Sequence, residues 1–505
     1  MKRIKMNMKY IVITAILFLS SALIGCDKER IEGEAPFFEK DPEAEISLDI
    51  DDSTPGIAFP GAFGYGSKAT GGRGGKVVAV TNLLDSGPGS LRQAFMEYPD
   101  EPITIVFKVG GLIELSSDIK VSRSDITLAG QTAPGDGICI SGGSLIFNGA
   151  RVQSQGGNHG NIIVRYIRSR PGTEDPKGSY GFNLENYHTV IIDHCSFGWA
   201  NEECVATYDT RDVTIQWCIV SEGLYDAGHQ KGVRGYGGIW GGTTSSFHHN
   251  LIAHNVSRTL GFNGSRAHDT IARVDYRNNV IYNWGGNLGC YGGLVELPGG
   301  SSQINMVNNY YKPGPATPDR GIHFMRTSYN ADLATGVGQV YLTGNMMDGR
   351  TEMTADNWLG LNRDEFPEAL KSEVRMDAAF TVESFAELPE KSAAQAYLDV
   401  LAGAGATLPR RDAVDMRVVQ ETRNGNASGT GNHGGLGMID SPDAVGGYPV
   451  YESGKAFVDN DGDGMPDYWE RKLGLDPADP SDGNAFAFSD HYTNLEVYLN
   501  SLIKR

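Results

Sequence analysis

Basic side chains that can bind an anion are concentrated in two neighbouring stretches of the chain. Lys231 and Arg234 lie in one stretch, and Arg258 and Arg266 lie in the next, each among glycines and aromatic residues. The chain as a whole is acidic, with 43 Lys and Arg against 62 Asp and Glu and a formal net charge of −19. A run of charge is usually a solvated face, but cations gathered in so acidic a chain indicate a local site for a polyanion such as a carboxylated polysaccharide.

A second group of charged residues, near the C-terminus, has the spacing of a calcium loop. The acidic side chains at loop positions 1, 3, 5, 9 and 12 are Asp459, Asp461, Asp463, Asp467 and Glu470. Gly464 at position 6 permits the sharp turn, and the carbonyl of Met465 at position 7 supplies a further oxygen. This spacing is typical of EF-hands and dockerin-like repeats, and it predicts one bound Ca²⁺ with a structural or docking role. The alternative is an acidic loop that holds no ion.

Composition excludes several classes of protein. Of 505 residues, 40% are hydrophobic, 66 are Gly and 6 are Cys. These values do not fit a mainly disordered chain, a polytopic membrane protein or a disulfide-stapled mini-domain. The negative charge gives no general affinity for nucleic acid or anionic lipid, so we expect no nucleic-acid partner.

Short β-rich stretches repeat along the middle of the chain, and they are the elements that must position the basic side chains. Their marker residues, 23 to 36 positions apart, are Ile167, Cys195, Cys218, Asn250, Asn279, Asn309 and Asn345. This period, with an apolar spacing of two, predicts a solenoid of strands and excludes helical repeats. We therefore predict an all-β, right-handed parallel β-helix in which the four Asn markers pair amide to amide from coil to coil. The alternative, a β-propeller, needs four antiparallel strands per blade and tight hairpins.

Five cysteines follow the N-terminal region. They are Cys139, Cys195, Cys204, Cys218 and Cys290. Their spacing is not that of a zinc site. Cys195 and Cys218 occupy the same place in successive repeats, which predicts two stacked, buried thiols.

The first residues have the pattern of an export signal. Residues 1–25 join a basic start to a short apolar run, and Leu23–Cys26 resembles the lipobox of bacterial lipoproteins, in which the Cys26 thiol receives the lipid. A simple cleaved signal and an N-terminal anchor helix are the alternatives. We expect export, with a lipid anchor on the periplasmic or surface side of the bacterial outer membrane, or secretion. Contact with the membrane is then through the N-terminal lipid only.

The rest of the chain is expected to form four parts. They are a flexible spacer at 26–56, the β-helix at 57–350, a C-terminal extension packing on it at 351–450, and a small helical calcium-loop appendage at 451–505. In the appendage we predict helices at Asp467–Leu473 and Thr493–Leu502. A further helix, Ala393–Ala402, is expected to cap the open end of the solenoid.

Several motifs, in a consistent order, resemble the pectate lyases of polysaccharide lyase family one. His248-His249-Asn250 followed by Arg258 resembles the segment around the catalytic Arg of that family, and Val190–Trp199 resembles its Asp-His strand motif. Further similar segments are Ala58–Ala62, Gly87–Ala94, Val213–Trp217, Ser221–Gly223, Ala404–Arg417 and Gly446–Pro449. The resemblance spans residues 57–450.

The resemblance implies a lyase that cleaves polygalacturonate or pectin by β-elimination and leaves 4,5-unsaturated oligogalacturonides. Arg258 would remove the C5 proton, and Lys231 and Arg266 would bind substrate carboxylates. It also implies Ca²⁺ at the lyase site, with Glu202 and Glu203 as its ligands. We expect a monomer.

The chain departs from the family pattern near this site. Thr259 and Leu260 follow Arg258 where the family commonly has a Pro-Arg pair, and Tyr180 stands where a ligand Asp is expected. Glu174 and Asp175 are the nearest substitutes. A reduced calcium site and a calcium-independent lyase acting on esterified pectin therefore stay open.

Other residues point to alternative functions. A galacturonan hydrolase on this fold needs three Asp, including an adjacent pair, and the only such pair is Asp51-Asp52 in the spacer. A non-catalytic surface glycan-binding protein is the alternative from another class. Asp193 and His194 have the types of an acid–base pair, but their place on a strand favours structural hydrogen bonds.

Overall fold

The computed structural model describes residues 48, 53–150, 158–172, 174–287, 289–329, 336–364, 366–383 and 388–503. The expected signal at 1–25, the expected lipidation site Cys26, most of the spacer and the Asp51-Asp52 pair lie outside these residues. Within the described ranges, no helix has both the length and the apolar character needed to cross a bilayer.

Three parallel sheets run the length of a right-handed β-helix, as predicted, and each coil adds one strand to each sheet in turn. Sheet 1 has ten strands: β1 (Lys76–Val80), β2 (Ile103–Phe107), β5 (Ile126–Ala129), β8 (His159–Arg165), β11 (Tyr187–Asp193), β14 (Arg211–Gln216), β17 (Thr244–His248), β20 (Ile271–Arg277), β23 (Ser301–Val307) and β26 (Gln339–Thr343). Sheet 2 has nine: β3 (Gly111–Glu114), β6 (Ile138–Ser141), β9 (Arg168–Ser169), β12 (Ser196–Gly198), β15 (Ile219–Ser221), β18 (Leu251–Ala253), β21 (Val280–Tyr282), β24 (Tyr310–Lys312) and β27 (Met346–Met347). Sheet 3 also has nine: β4 (Ile119–Val121), β7 (Leu145–Asn148), β10 (Phe182–Glu185), β13 (Glu203–Tyr208), β16 (Tyr236–Trp240), β19 (Leu260–Phe262), β22 (Cys290–Gly292), β25 (Met325–Thr327) and β28 (Leu361–Asn362).

Helices lie outside the coils. The α-helices are α1 (Leu91–Ala94), α2 (Thr351–Ala355), α3 (Ala393–Gly403), α4 (Ala413–Asn424), α5 (Asp467–Leu473) and α6 (Asn494–Ser501). Short 3₁₀ segments are Tyr65–Lys68, Gly130–Thr132, Asp319–Gly321, Asn357–Gly360, Glu368–Leu370, Pro442–Val445 and Asp482–Asn484. The two helices predicted in the tail are confirmed; the second begins after Thr493, whose side chain forms a capping box with Glu496.

The interior of the coils is a stack of apolar side chains in register. One inward row of sheet 1 consists of Ile105, Leu128, Val164, Ile192, Ile215, Phe247, Tyr276, Met306 and Leu342. None of these is more than 4% exposed. Parallel pairing places equivalent residues about 4.8 Å apart, so the repeat of apolar positions in the sequence becomes one continuous core.

The predicted Asn ladder is confirmed at the turns between sheets 1 and 2. The Nδ2 group of Asn250 donates to Oδ1 of Asn279 at 3.0 Å, Asn279 donates to Asn309 at 3.0 Å, and Asn309 donates to Asn345 at 2.8 Å. Asn357 extends the ladder by one rung, at 3.1 Å. The Oδ1 atoms of Asn279, Asn309 and Asn345 also accept the backbone amide of the preceding Asn in the ladder, so buried polar groups are satisfied from coil to coil.

Two buried thiols continue this column towards the N-terminus. The Cys218 amide donates to Asn250 Oδ1 at 2.9 Å, and the Cys195 amide donates to Cys218 Sγ at 3.4 Å. All five described cysteines are buried and free, which confirms the prediction of stacked thiols. Burial raises the pKa of Cys218 well above its usual value, as expected of an unreactive thiol.

A stack of aromatic rings accompanies the ladder. His194 lies between Tyr166 at 5.0 Å and Trp217 at 5.7 Å, and Trp217 stacks on His249 at 4.3 Å. All four residues have φ between 51° and 56°, a left-handed conformation repeated from coil to coil. Burial lowers the pKa of His249 to about 3, so its ring is neutral at physiological pH.

Segments at both ends close the core. At the N-terminal end, Leu91 and Phe95 are buried in the core, and the Phe95 ring meets the Phe147 ring edge-on at 6.0 Å. At the C-terminal end, Phe366 and Val374 are buried in the same core. These segments protect the sheet edges from pairing with another chain.

The prediction that the helix at 393–402 caps the open end is wrong. This helix, α3, lies along the outer face of sheet 2, because its apolar residues Val400 and Leu401 pack with Val418 of α4 against that sheet. The facing residues of sheet 2 are Ile219, Leu251, Ala253, Val280 and Tyr282.

The C-terminal tail packs against the outer face of sheet 1. Its buried residues Trp469 and Leu495 form one apolar cluster with Ile163 and Ile191 of that sheet and with Phe59. The members from the tail are Met465, Trp469, Tyr492, Leu495, Val497, Tyr498 and Leu499. The single N–H of Arg73 Nε is shared between the two carboxylate oxygens of Glu496, at 2.8 and 2.9 Å, and fixes α6 to the first coil.

Candidate active site

Residues from three successive coils meet on the outer face of sheet 3. Glu203, at the start of β13, is in register with Tyr236, at the start of β16. Tyr236 in turn forms a parallel bridge with Ser257, the residue before Arg258. The coils therefore place Glu203, Tyr236 and Arg258 side by side although they are far apart in sequence.

Arg258 has three contacts in this place. Its guanidinium is ion-paired with Glu203, its Nε donates to the Tyr291 hydroxyl at 3.2 Å, and it lies 4.2 Å from the centre of the Tyr236 ring. The Arg258 side chain is 19% exposed, whereas Glu203 is 1% exposed. The guanidinium is thus held rigidly at the edge of solvent, where a ligand can reach it.

Arg234 is a second arginine that contacts the Tyr236 ring. Its guanidinium is ion-paired with Glu202 and lies 4.6 Å from the centre of the Tyr236 ring. His229 Nε2 lies 2.5 Å from the same Glu202 carboxylate. Two arginines, each held by one of two consecutive glutamates, therefore share one aromatic ring.

Lys231 and Arg266 flank this centre. The exposed Lys231 lies next to His229, whose Nδ1 accepts from the Lys231 amide at 3.0 Å. The pKa of His229 is lowered, first by burial and then by Arg234 and Lys231, against the opposing effect of Glu202. Arg266 is half-buried, with its guanidinium 5.7 Å from the centre of the Tyr208 ring.

Tyrosines connect these cations into one surface. Burial raises the pKa of Tyr180 to about 12, with Glu202 adding to the rise and Arg234 and Arg258 opposing it. Burial likewise raises the pKa of Tyr208, and Arg266 lowers it. The structure thus brings the sequence-predicted Arg258, Lys231 and Arg266 to a common face. Sequence reasoning placed Arg234 among the cations of this patch but gave no sign of its partner, because Glu202 comes from another coil.

Glu202 and Glu203, the predicted calcium ligands of this site, have cationic partners. Glu202 holds Arg234 and His229, and Glu203 holds Arg258, which leaves Glu203 Oε2 as a buried oxygen without a hydrogen-bond donor. Within the part of the chain that the structure describes, the groups of three side chains close enough to share a cation do not include this pair. Tyr180 supplies no carboxylate. The residues present therefore do not fit a resident calcium ion, which prefers six to eight oxygen ligands.

Asp193 and His194 belong to the structure of the coils. The Asp193 carboxylate accepts from Arg165 and from Gln216 at 2.8 and 2.7 Å, and lies 2.8 Å from His194 Nδ1. Although burial opposes ionisation, His194 and Arg165 hold the pKa of Asp193 well below its usual range. Asp193 and His194 therefore form structural hydrogen bonds, as their place on a strand indicated.

The predicted calcium loop forms a second cluster of charge, on the tail. Ligand oxygens of Asp459, Asp461 and Asp463 lie within 4.8 Å of one another, and so do those of Asp463, Glu470 and Asp482. Burial, reinforced by the neighbouring carboxylates, raises the pKa of Asp463 to about 7 and that of Glu470 to about 8. Sequence reasoning missed Asp482, which lies outside the loop pattern.

No family model matches the chain. Among solved structures, the chain is similar to jun a 1, the major allergen from cedar pollen (14% identity, 68% of this chain and 92% of that one, TM-score 0.42). It is also similar to the thermostable pectate lyase PL 47 (15% identity, 72% and 99%, TM-score 0.45).

Curated proteins match over nearly the whole chain. The "Probable pectate lyase C" of Aspergillus fumigatus is 32% identical over 449 residues, which cover 88% of this chain and 94% of that protein. The protein of the same name from Emericella nidulans is 32% identical over 449 residues, 88% of this chain and 93% of that one. "Probable pectate lyase 18" of Solanum lycopersicum is 30% identical over 171 residues. The chain therefore belongs to the pectate lyase family.

Proposed function

We propose that the chain is a pectate lyase that cleaves polygalacturonate by β-elimination on the outer face of sheet 3. The observation that supports this most directly is the grouping of Arg234, Arg258 and Arg266 with four tyrosines on one face of an acidic protein. Guanidinium groups bind carboxylates in paired hydrogen bonds, and tyrosine rings offer flat surfaces to sugars. A chain of galacturonate units presents both features.

The cations of the site lower the barrier to proton removal. The C5 hydrogen of a galacturonate unit is weakly acidic until the charge of the adjacent carboxylate is neutralised. Lys231 and Arg266, with Arg234, bind the carboxylates and stabilise the enediolate-like transition state. Arg258 first gives a proton to water and then takes the C5 proton; the C4–C5 double bond forms as the C4–O bond breaks, and the proton released to water goes to the leaving oxygen.

Calcium at Glu202 and Glu203 stays a prediction within this proposal. Such an ion would need these two carboxylates to leave Arg234 and Arg258, and it would need further oxygens from substrate carboxylates and water. In that arrangement Glu202 and Glu203 would hold the ion, and its charge would add to that of the cations that face the substrate carboxylate. The residues of the site give calcium no other role in this proposal.

Incubation of the purified chain with polygalacturonate tests the proposal. We expect ultraviolet absorbance from the 4,5-unsaturated ends to rise with time, because each elimination creates a conjugated double bond. Parallel reactions with added calcium and with a chelator show whether calcium is needed for turnover. No absorbance on either de-esterified or esterified pectin, under any of these conditions, would show that the chain is not a lyase and would favour a glycan-binding protein.

We further propose export and lipid attachment at Cys26. The support is the basic, then apolar, pattern of residues 1–25 and the Leu23–Cys26 motif. Mass spectrometry of the chain expressed in a bacterium should find an N-terminus at Cys26 that carries lipid, and Cys26→Ser should release an unlipidated chain. A mature N-terminus at any other residue would contradict this proposal.

A further inference from the structure

The carboxylates of the tail form two groups that share one member. Asp463 belongs both to the group with Asp459 and Asp461 and to the group with Glu470 and Asp482. Asp482 is in the 3₁₀ segment Asp482–Asn484, outside the loop that contains the other four. The shared Asp463 means that one ion can contact carboxylates of both groups.

The interior of this cluster contains polar atoms without partners. Glu470 is fully buried, and neither of its carboxylate oxygens has a hydrogen-bond donor. Asp463 and Asp482 each use one oxygen to accept a backbone amide and leave the other without a donor. Carboxylate oxygens that converge in this way and have no donor are costly unless a cation lies among them.

Loop position 9 does not contribute to the cluster. The Asp467 carboxylate accepts from the amide of Asn460 at 2.9 Å and from its side chain at 2.6 Å, and it contacts Arg471 at 3.3 Å. These bonds hold the start of α5 and give both carboxylate oxygens of Asp467 a donor. The side chain at position 9 therefore has structural partners, whereas a ligand atom of Asp482 lies within 4.8 Å of those of Asp463 and Glu470.

We propose that Asp482 is a ligand of a calcium ion bound by Asp459, Asp461, Asp463 and Glu470, and that this ion fastens the tail to the β-helix. The all-oxygen donor set suits a hard cation such as Ca²⁺. The inference does not depend on lyase activity, because all five carboxylates lie on the tail and away from sheet 3.

Two contacts connect the ion site to the first coils. Lys108, which follows β2, lies 3.1 Å from the Asp459 carboxylate. Asn484, two residues after Asp482, donates to the Gly75 carbonyl at 3.1 Å. An ion bound by both Asp459 and Asp482 would link the calcium loop to the 3₁₀ segment, and each of these already contacts the first coils. Its binding should therefore raise the melting temperature of the whole chain.

Calcium titration of calcium-free protein by calorimetry, without substrate, tests the assignment. We expect Asp482→Asn to raise the dissociation constant at least about tenfold, because the ion loses a charged ligand. Asp490→Asn, an exposed residue of the same tail, is the matched control, and it and Asp467→Asn should stay within about threefold of wild type. Wild-type affinity in Asp482→Asn, or the tenfold loss in Asp467→Asn instead, would overturn the proposal.

A crystal structure of the unaltered chain with calcium gives a test that does not depend on variant folding. We expect one ion in the tail, with an Asp482 oxygen at about 2.3–2.6 Å from it. Asp482 outside the coordination sphere, or no ion at saturating calcium, would show that the assignment is wrong.

Discussion

Arg258→Lys should lower kcat on polygalacturonate by about 10²–10⁴-fold, the usual contribution of a proton-transferring group. Lysine keeps the positive charge, so it can still pair with the buried Glu203 and the fold should persist. It cannot reproduce the guanidinium geometry that joins Glu203, Tyr236 and Tyr291. KM should change far less than kcat if Arg258 acts mainly in the transition state. Initial rates from the absorbance of unsaturated product, over a range of substrate concentrations, measure both constants.

Arg375→Lys is the matched control for this variant. Arg375 is exposed near the C-terminal end of the coils, where it lies over Trp358 and pairs with Asp377. It should have wild-type kcat and KM. A kcat of Arg258→Lys within a few-fold of wild type would show that the guanidinium of Arg258 is not needed to remove the C5 proton, even if the chain is a lyase.

Asp412→Ala should lower the free energy of unfolding by about 3–5 kcal/mol, because it removes one partner of a buried ion network. Asp412 contacts Arg170 at 2.5 Å and Arg168 at 3.4 Å, and both arginine side chains are at most 2% exposed. Its carboxylate also accepts the Asp415 amide at 2.9 Å and so caps α4. The network fastens the C-terminal extension to sheet 2. Urea unfolding, monitored by tryptophan fluorescence, measures the change.

Two further variants separate the parts of this effect. Asp412→Asn keeps an oxygen for the helix cap but loses the charge, so it should be less destabilising than the alanine variant. Asp377→Ala removes the partner of the exposed Arg375 and should cost no more than about 1 kcal/mol. A loss at Asp412 as small as that at Asp377 would mean that the buried network contributes little to stability.

The coil architecture was predictable because each coil repeats a local pattern. Alternating apolar residues fix which face of each strand is buried, and the spacing of Asn250, Asn279, Asn309 and Asn345 identifies one turn position in four coils. Parallel stacking then determines the ladder. The fifth rung, Asn357, comes from a 3₁₀ segment and not from a repeat, so the period gave no sign of it.

The finer features of the site depend on contacts that no local pattern records. The pairing of Glu202 with Arg234 joins residues from different coils, and the sequence shows neither which cation meets which carboxylate nor that both arginines share Tyr236. Asp482 reaches the calcium loop only because the tail folds back on itself. The prediction of where α3 packs was wrong for a similar reason. An apolar helix face shows that the helix packs against something, but not whether that partner is the end or the side of the coils.

The packing of the tail on sheet 1 has a consequence for how the protein is made. Ile163 and Ile191 emerge from the ribosome long before Trp469 and Leu495, the residues that cover them. A nascent or truncated chain that ends before the tail would present this apolar face to its neighbours, which promotes aggregation. The outer face of sheet 1 is therefore covered only once the tail has been synthesised, and a stop codon before Trp469 should leave Ile163 and Ile191 exposed.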